Sequence, residues 1–154
     1  MKRAEILQLN AALETASEKG NLKFKYALLK NLKKLAPEVE ALRKLTETAN
    51  ECLKAFNEAR QKLIESKLNG RTEIKQTDAD FAEVVAAIKA LQVGEFKADF
   101  ETYETKVKEL EAFMNEEFEN NFEFHTVAFE NLPEELTKTE YAQLMDWGTA
   151  QEPA

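Results

Sequence analysis

Apolar residues recur at alternating spacings of four and three along residues 42–64. Seven positions follow this rhythm: Leu42, Leu45, Ala49, Cys52, Phe56, Ala59 and Leu63. This spacing places their side chains on one face of an α-helix, with the 3.5-residue period of helices that pack along each other. The feature predicts a long amphipathic helix whose apolar face requires a partner.

A second stripe of the same period lies further along the chain: Phe96, Phe100, Tyr103, Val107, Leu110 and Met114. Two matched stripes in one chain are expected to pack on each other as an antiparallel coiled coil. The sequence therefore predicts a mainly α fold, built on a long antiparallel helical hairpin with short flanking helices. We expect one helical domain over residues 1–148 and a frayed C-terminal tail over residues 149–154.

Helix boundaries follow from glycine, proline and capping residues. A first helix is expected over about residues 3–18. The next helix either kinks before Pro37 or restarts there, and then continues to about Lys67. Gly94 predicts a break or bend, and Gly148 is expected to close a last short helix. Four threonine or aspartate residues are capping candidates: Thr77 or Asp78 for the central helix, and Thr137 or Thr139 for the last.

Two segments predict a minor two-stranded β-ribbon. "TEIKQ" (residues 72–76) follows an Asn-Gly turn, and residues 121–129 alternate apolar and polar side chains. With two straight long helices, these strands would lie at opposite ends of the hairpin. Either the chain bends at Gly94 and returns, or the strands pair between two chains of a dimer.

Charge is unevenly distributed in this acidic chain, whose net charge is −8. Basic residues crowd residues 19–44, and glutamates crowd residues 109–140. The two regions are interpreted as helix faces that attract each other; the alternative is an acidic surface that binds a basic site or mimics DNA. Nucleic acid and anionic membrane are not expected partners, because both repel an acidic chain.

No apolar run approaches the roughly 20 residues of a membrane span, and Glu5 and Gln8 interrupt any signal-peptide core. A single cysteine excludes an internal disulfide. We expect an intracellular protein without a membrane partner.

Few residues of the sequence suit catalysis or the binding of a metal or cofactor. Cys52 lies in the first stripe and is expected to be a small core residue, and His125 is the one histidine. Glutamate pairs such as Glu109 and Glu116, or Glu47 and Glu51, would hold a hard cation only with further inward-facing ligands. No phosphate-binding glycine loop is present. We expect no catalytic, cofactor-binding or metal-binding residues, and hence no enzyme.

Tyr141, Leu144 and Trp147 share one face of the last predicted helix, at positions i, i+3 and i+6. This face either packs back on the helical bundle or binds another protein, since tyrosine and tryptophan are enriched in binding hot spots. The three residues are the candidate partner-binding site.

Three stretches, "FKYALLKNLKKLAPEVEALRK", "NGRTEIKQTDADFAEVV" and "NFEFHTVAFENLPEELTKTEYAQL", resemble a group of small, uncharacterised bacteriophage proteins over roughly residues 22–145. Ala36 departs from that group, in which an acidic residue precedes the proline. The resemblance implies phage or prophage origin and a helical hairpin with a small strand pair, and it carries no functional residues.

Two functions from different classes follow. The first is a phage protein that binds a host or phage protein in the bacterial cytoplasm, for example as an inhibitor of a host or defence enzyme. The alternative is a virion structural or assembly component, such as a tail, connector or scaffolding-type protein, because long amphipathic helices also suit oligomers. A homo-oligomer remains open under both.

Overall fold

A computed structural model describes residues 1–119 and 122–151 of the chain. Its elements in chain order are α1 (Arg3–Ser17), α2 (Leu22–Asn50), a 3-10 turn (Glu51–Leu53), α3 (Lys54–Lys67), α4 (Phe81–Val93), α5 (Lys97–Asn115), a 3-10 turn (Phe129–Asn131) and α6 (Lys138–Asp146). The predicted mainly α fold is confirmed. Within the described ranges, none of these helices combines the length and apolar character needed to cross a membrane.

Contacts divide the chain into two compact units, where the sequence predicts one domain over residues 1–148. Unit one comprises Met1–Lys44 and Ala112–Ala154, and unit two comprises Leu45–Glu111. Each unit is described below by itself.

The core of unit one is built from α1, the first half of α2, α6 and the chain that flanks α6. Its buried apolar residues are Ile6, Leu9, Leu13, Ala16, Phe24, Leu28, Leu35, Val39, Leu42, Val127, Leu144 and Ala150. Those of α1 and α2 recur at helical spacing, because only one stripe of each helix can face the core. Full burial of one such leucine or phenylalanine stabilises the fold by about 1.5–3 kcal/mol.

Pro37 does not restart the second helix. α2 runs from Leu22 through Pro37 to Asn50. Pro37 and Ala36 are both exposed, so the carbonyl that lacks an intrahelical donor can hydrogen-bond to water. The expected helix to Lys67 is interrupted instead at Glu51–Leu53 by the 3-10 turn.

The predicted β-ribbon is wrong: the part of the chain that the structure describes contains two isolated β-bridges and no strand pair. Extended residues near the C-terminus find other partners. The Asn31 side chain pairs with the His125 backbone, and Val127 pairs with the backbone of Thr149 and Gln151. These bonds take the donors and acceptors that a ribbon would need. Asn121, in the predicted strand, lies outside the described residues.

"TEIKQ" forms no strand: Thr72 lies in a bend, residues 73–75 have no regular secondary structure, and a turn begins at Gln76. The Asp78 carboxylate accepts a hydrogen bond from the Lys75 backbone N–H at 2.8 Å, and Arg71 Nη2 donates to Asp80 Oδ2 at 2.6 Å. The hydrogen bond from Arg71 holds the pKa of Asp80 below its usual value. Asp80, rather than Thr77 or Asp78, is the N-cap position of α4, and its side chain makes no capping bond.

A side-chain cap, a glycine turn and buried residues hold α6 and the residues that follow it. Thr137 caps α6, as one of the two predicted alternatives, because its hydroxyl accepts a hydrogen bond from the Glu140 N–H. Gly148 takes a left-handed φ of 67° after the helix. Thr149 and Ala150, the first two residues of the predicted frayed tail, are buried. Residues 152–154 of that tail lie outside the described residues.

Unit two packs α3 against α4, and the two predicted stripes meet at Phe56. This buried ring contacts Phe96 and Phe100 edge-on, with centroid distances of 5.7 and 4.8 Å. Edge-to-face aromatic pairs add about 0.5–1.5 kcal/mol beyond burial. The aromatic cluster therefore joins α3 to the start of α5.

Candidate functional site

The structure places the three predicted partner-binding residues on and just after α6. Leu144 is 1% exposed and belongs to the core of unit one. Trp147 is half-buried against that core, and Tyr141 is also half-buried. Leu144 is thus a packing residue in this structure, whereas contact of Tyr141 and Trp147 with a partner stays a prediction.

Tyr141 lies beside an aromatic residue that the sequence did not single out. Its ring contacts Phe129 edge-on at 5.8 Å between centroids, and Phe129 is 46% exposed. The Tyr141 hydroxyl is buried without a hydrogen-bond partner among the described residues. Phe129 sits in a 3-10 turn, so no helical or strand periodicity in the sequence indicated its exposure.

A more extensive apolar surface lies on α2. Leu22, Tyr26 and Leu29 are 84%, 61% and 57% exposed, and they follow each other at i, i+4 and i+7 on one helical face. We call these three residues the α2 ridge. The core residues Phe24 and Leu28 lie two positions after Leu22 and Tyr26, which is a rotation of about 200° around the helix. The ridge therefore points away from the core of unit one.

Lysines surround the α2 ridge. Residues 22–37 contain Lys23, Lys25, Lys30, Lys33 and Lys34 but no acidic residue. Lys30 Nζ lies 4.8 Å from the centroid of the Tyr26 ring, which is cation–π geometry. None of these five lysines forms an ion pair with another described residue, although Lys34 donates a hydrogen bond to the Glu123 carbonyl. The ridge is thus an apolar strip with a positively charged border.

Beyond the ridge, a groove of about 510 Å³ separates α1 from α2. Its walls include Asn10 and Glu14 of α1 and, from α2, Leu32, Lys33, Ala36, Val39, Glu40 and Arg43. Asn10 is only 6% exposed, yet its side chain makes no hydrogen bond to any residue in the described ranges. Asn10 is not among the fully buried polar groups without a partner, of which the described residues show only the Tyr141 hydroxyl, so its amide reaches solvent in the groove and can bond to a bound molecule there.

A second concavity, of about 720 Å³, lies on the α2–α3 segment of unit two and is lined by charged and amide side chains. The predicted pair Glu47 and Glu51 lies here, among basic as well as acidic neighbours. Among the described residues there is no group of three or more histidine, cysteine or acidic side chains placed to hold a metal ion. This face has the composition of an ordinary solvated helix surface.

Cys52 and His125 are the one cysteine and the one histidine of the sequence. Cys52 is half-buried in the 3-10 turn before α3. The His125 side chain is exposed, and its backbone N–H and C=O are both bound by Asn31. The segment at His125 is thus held in place by the hydrogen bonds between its backbone and the Asn31 side chain.

One ion pair links the start of unit one to α6. Lys19 Nζ donates to both carboxylate oxygens of Glu140 at 2.6 Å. This hydrogen bond, with a further one from the Thr137 backbone, lowers the pKa of Glu140 from its usual value. The pair and the Thr137 cap together fix the N-terminus of α6.

Comparison with protein-family models, curated proteins and solved structures gives no significant match in any of the three.

Proposed function

We propose that this protein acts by binding another protein through the α2 ridge, and not by catalysis. The observation that carries the proposal is the alignment of three large, exposed apolar side chains on one helical face. Single exposed apolar residues are ordinary on protein surfaces, whereas contiguous apolar patches mark interaction sites.

Burial of the ridge side chains is the main favourable contribution to a contact at this surface, and it acts against the cost of association. Burial of each ridge side chain contributes about 1.5–3 kcal/mol. Tyr26 lies at the centre of the ridge, and tyrosine is among the residues that dominate binding energy. The lysine border supplies a polar rim, the usual surrounding of an apolar interface centre.

The resemblance to phage proteins suggests where such binding would act. It covers roughly residues 22–145, which includes the ridge. On this proposal the protein is phage-encoded, works in the cytoplasm of a host bacterium, and binds a host or defence protein whose activity it inhibits. An acidic chain with one basic patch also suits selective binding, because its net charge disfavours nucleic acid.

A virion structural or assembly role is the second candidate, favoured by unit two. Val85 and Val93 of α4 and Leu45 of α2 are exposed, and a homo-oligomer could cover them. The extended antiparallel coiled coil predicted from the two stripes belongs to the same proposal, with the Phe56 cluster as its supporting contact. Closed oligomers reuse one such surface on every subunit.

Site-specific photo-cross-linking in host cells tests the main proposal. A photoreactive benzoylphenylalanine replaces Tyr26 in one variant and the exposed Glu104 of α5 in a control. We expect a discrete protein adduct from position 26 alone, lost when Leu22 and Leu29 are changed to serine. The proposal fails if position 26 gives no adduct, or gives the same adducts as position 104.

The adduct also separates the two candidate functions. An inhibitor yields a host protein in the adduct, and the chain is missing from purified phage particles by mass spectrometry. A structural component yields a phage protein or a second copy of this chain, and the chain is found in the particles.

A further inference from the structure

The α2 ridge continues into the groove beside α1 without a change of period. From Leu22, exposed or groove-lining positions follow at alternating steps of four and three: Leu22, Tyr26, Leu29, Lys33, Ala36, Glu40 and Arg43. This stretch covers three heptads, about 31 Å of helix. One continuous face of α2 therefore has the period of a coiled-coil seam, and in unit one it faces away from the core.

The period of this face selects the backbone form of its occupant. Leu22, Leu29 and Ala36 are seven residues apart, so equivalent positions recur about every 10.5 Å. A facing helix presents apolar side chains at the same interval, whereas same-face residues of an extended strand recur at about 6.6 Å. The small Ala36 at the groove also permits close approach of a helix backbone.

Asn10 adds a polar requirement at the groove end of this face. Asn31, a second buried asparagine of unit one, has its amide donor and acceptor both bound by the His125 backbone. Asn10 is 6% exposed, and its side chain makes no hydrogen bond to residues 1–119 and 122–151, but its amide still reaches solvent at the groove, where an occupant can bond to it. A polar side chain from the occupant would complete it, as a buried asparagine fixes register between paired helices.

Charge determines the composition of the occupant. Four lysines of α2 lie beside the ridge: Lys23, Lys25, Lys30 and Lys33. The sequence of α2 contains no acidic residue before Glu38. A basic or neutral helix would meet uncompensated positive charge, whereas an acidic one would be attracted to it.

We infer that the partner presents an acidic amphipathic helix that lies along α2 from Leu22 to Arg43 and places one polar side chain against Asn10. This inference rests on the proposed function and names the class of partner. The helix-in-groove mode supplies apolar anchors at the ridge and lets the glutamate or aspartate flanks meet the lysine border.

A displayed library of helical peptides tests the inference on the full-length protein. Each peptide has three heptads with leucine at the seam positions. The positions that flank the seam vary among glutamate, lysine and glutamine. One seam position varies between leucine and asparagine. We expect selected peptides to carry glutamate flanks and one seam asparagine, and to bind more weakly at high salt. Selection of lysine or glutamine flanks, or of no peptide above background, overturns the inference.

Variants of the protein assign the result to this surface. Binding of a selected peptide, measured by fluorescence anisotropy, is expected to weaken at least about tenfold with Tyr26→Ala. Lys23→Glu combined with Lys33→Glu is expected to shift selection to lysine flanks, and both positions are exposed, so folding is retained. Asn10→Leu is expected to shift the variable seam position to leucine. If the variant with Lys23→Glu and Lys33→Glu still selects peptides with glutamate flanks, the inference is contradicted. This result does not depend on whether Asn10→Leu folds.

The two tests fail separately. Host-protein adducts at position 26 without selection of acidic helices leave the proposed function standing and reject the acidic-helix partner. Selection of acidic helices without any adduct in cells rejects the proposed function. Adducts that contain only a second copy of this chain reject the inference, because the ridge then joins two copies.

Discussion

Replacement of Asn31 is expected to destabilise unit one strongly, although the change is small. Asn31 is fully buried on α2, and its amide binds both polar groups of the His125 backbone. Nδ2 donates to the carbonyl at 2.9 Å, and Oδ1 accepts from the N–H at 2.7 Å. This pair of bonds takes the place that a neighbouring strand would occupy, so the segment around His125 depends on it.

The size of the effect follows from the groups left behind. Asn31→Leu keeps the approximate volume but removes both hydrogen bonds, leaving a partly buried N–H and C=O of His125 unpaired. Each unpaired group costs about 1–3 kcal/mol, reduced where water can reach it. We therefore expect a loss of about 2–4 kcal/mol in the free energy of unfolding, well above the usual effect of a surface substitution.

Urea denaturation followed by circular dichroism measures this loss, and hydrogen exchange reports the His125 amide directly. The matched control is Asn57→Leu on α3, an exposed asparagine in a helix, for which we expect a change within about 0.5 kcal/mol. Equal stability of the two variants, or unchanged protection of the His125 amide in Asn31→Leu, would refute the reasoning.

Two further predictions concern the connections of unit one. Glu140→Gln is expected to flatten the acid limb of the stability curve in urea titrations. The hydrogen bond from Lys19 lowers the pKa of Glu140, so its stabilisation is present above the unfolded pKa of an ordinary glutamate and is lost as pH falls through the lower folded pKa. Gly20→Ala is expected to destabilise more than Gly70→Ala in thermal unfolding. Both have positive φ, which costs about 1–2 kcal/mol for alanine, but only at position 20 would the new Cβ meet Pro133, at 2.5 Å.

Local signals in the sequence predicted the helices well. The bounds of α1, the Thr137 cap of α6 and the stop at Gly148 follow from periodicity and capping chemistry that act within a few residues. The sequence predicted that the two stripes pack on each other, because matched heptads restrict which faces can pack, and the structure shows contact between them at Phe56.

Long-range partners were the source of the errors. Alternation in residues 121–129 indicated a strand, but the bonds of that segment are made by an asparagine side chain 94 positions away and by the chain after α6. No local pattern reveals that an asparagine in a helix replaces a strand. The same limit applies to the buried Thr149, whose carbonyl accepts a hydrogen bond from the distant Val127 N–H.

The candidate site was missed for a related reason. α2 is apolar on two faces, since Phe24 and Leu28 form one stripe and Tyr26 and Leu29 form another. Periodicity alone does not say which stripe meets the core. The lysines beside Tyr26 were the available signal, because a core stripe is rarely bordered by so many charges.

The most direct test of the central claim uses the three tyrosines of the chain, Tyr26, Tyr103 and Tyr141, labelled with 3-fluorotyrosine and followed by ¹⁹F NMR in buffer and in host-cell lysate. Tyr26 is predicted to show a solvent-exposed resonance in buffer that shifts or broadens in lysate and recovers with Leu22→Ser and Leu29→Ser. A Tyr26 resonance unchanged by lysate, while that of Tyr103 or Tyr141 shifts, would contradict binding through the α2 ridge.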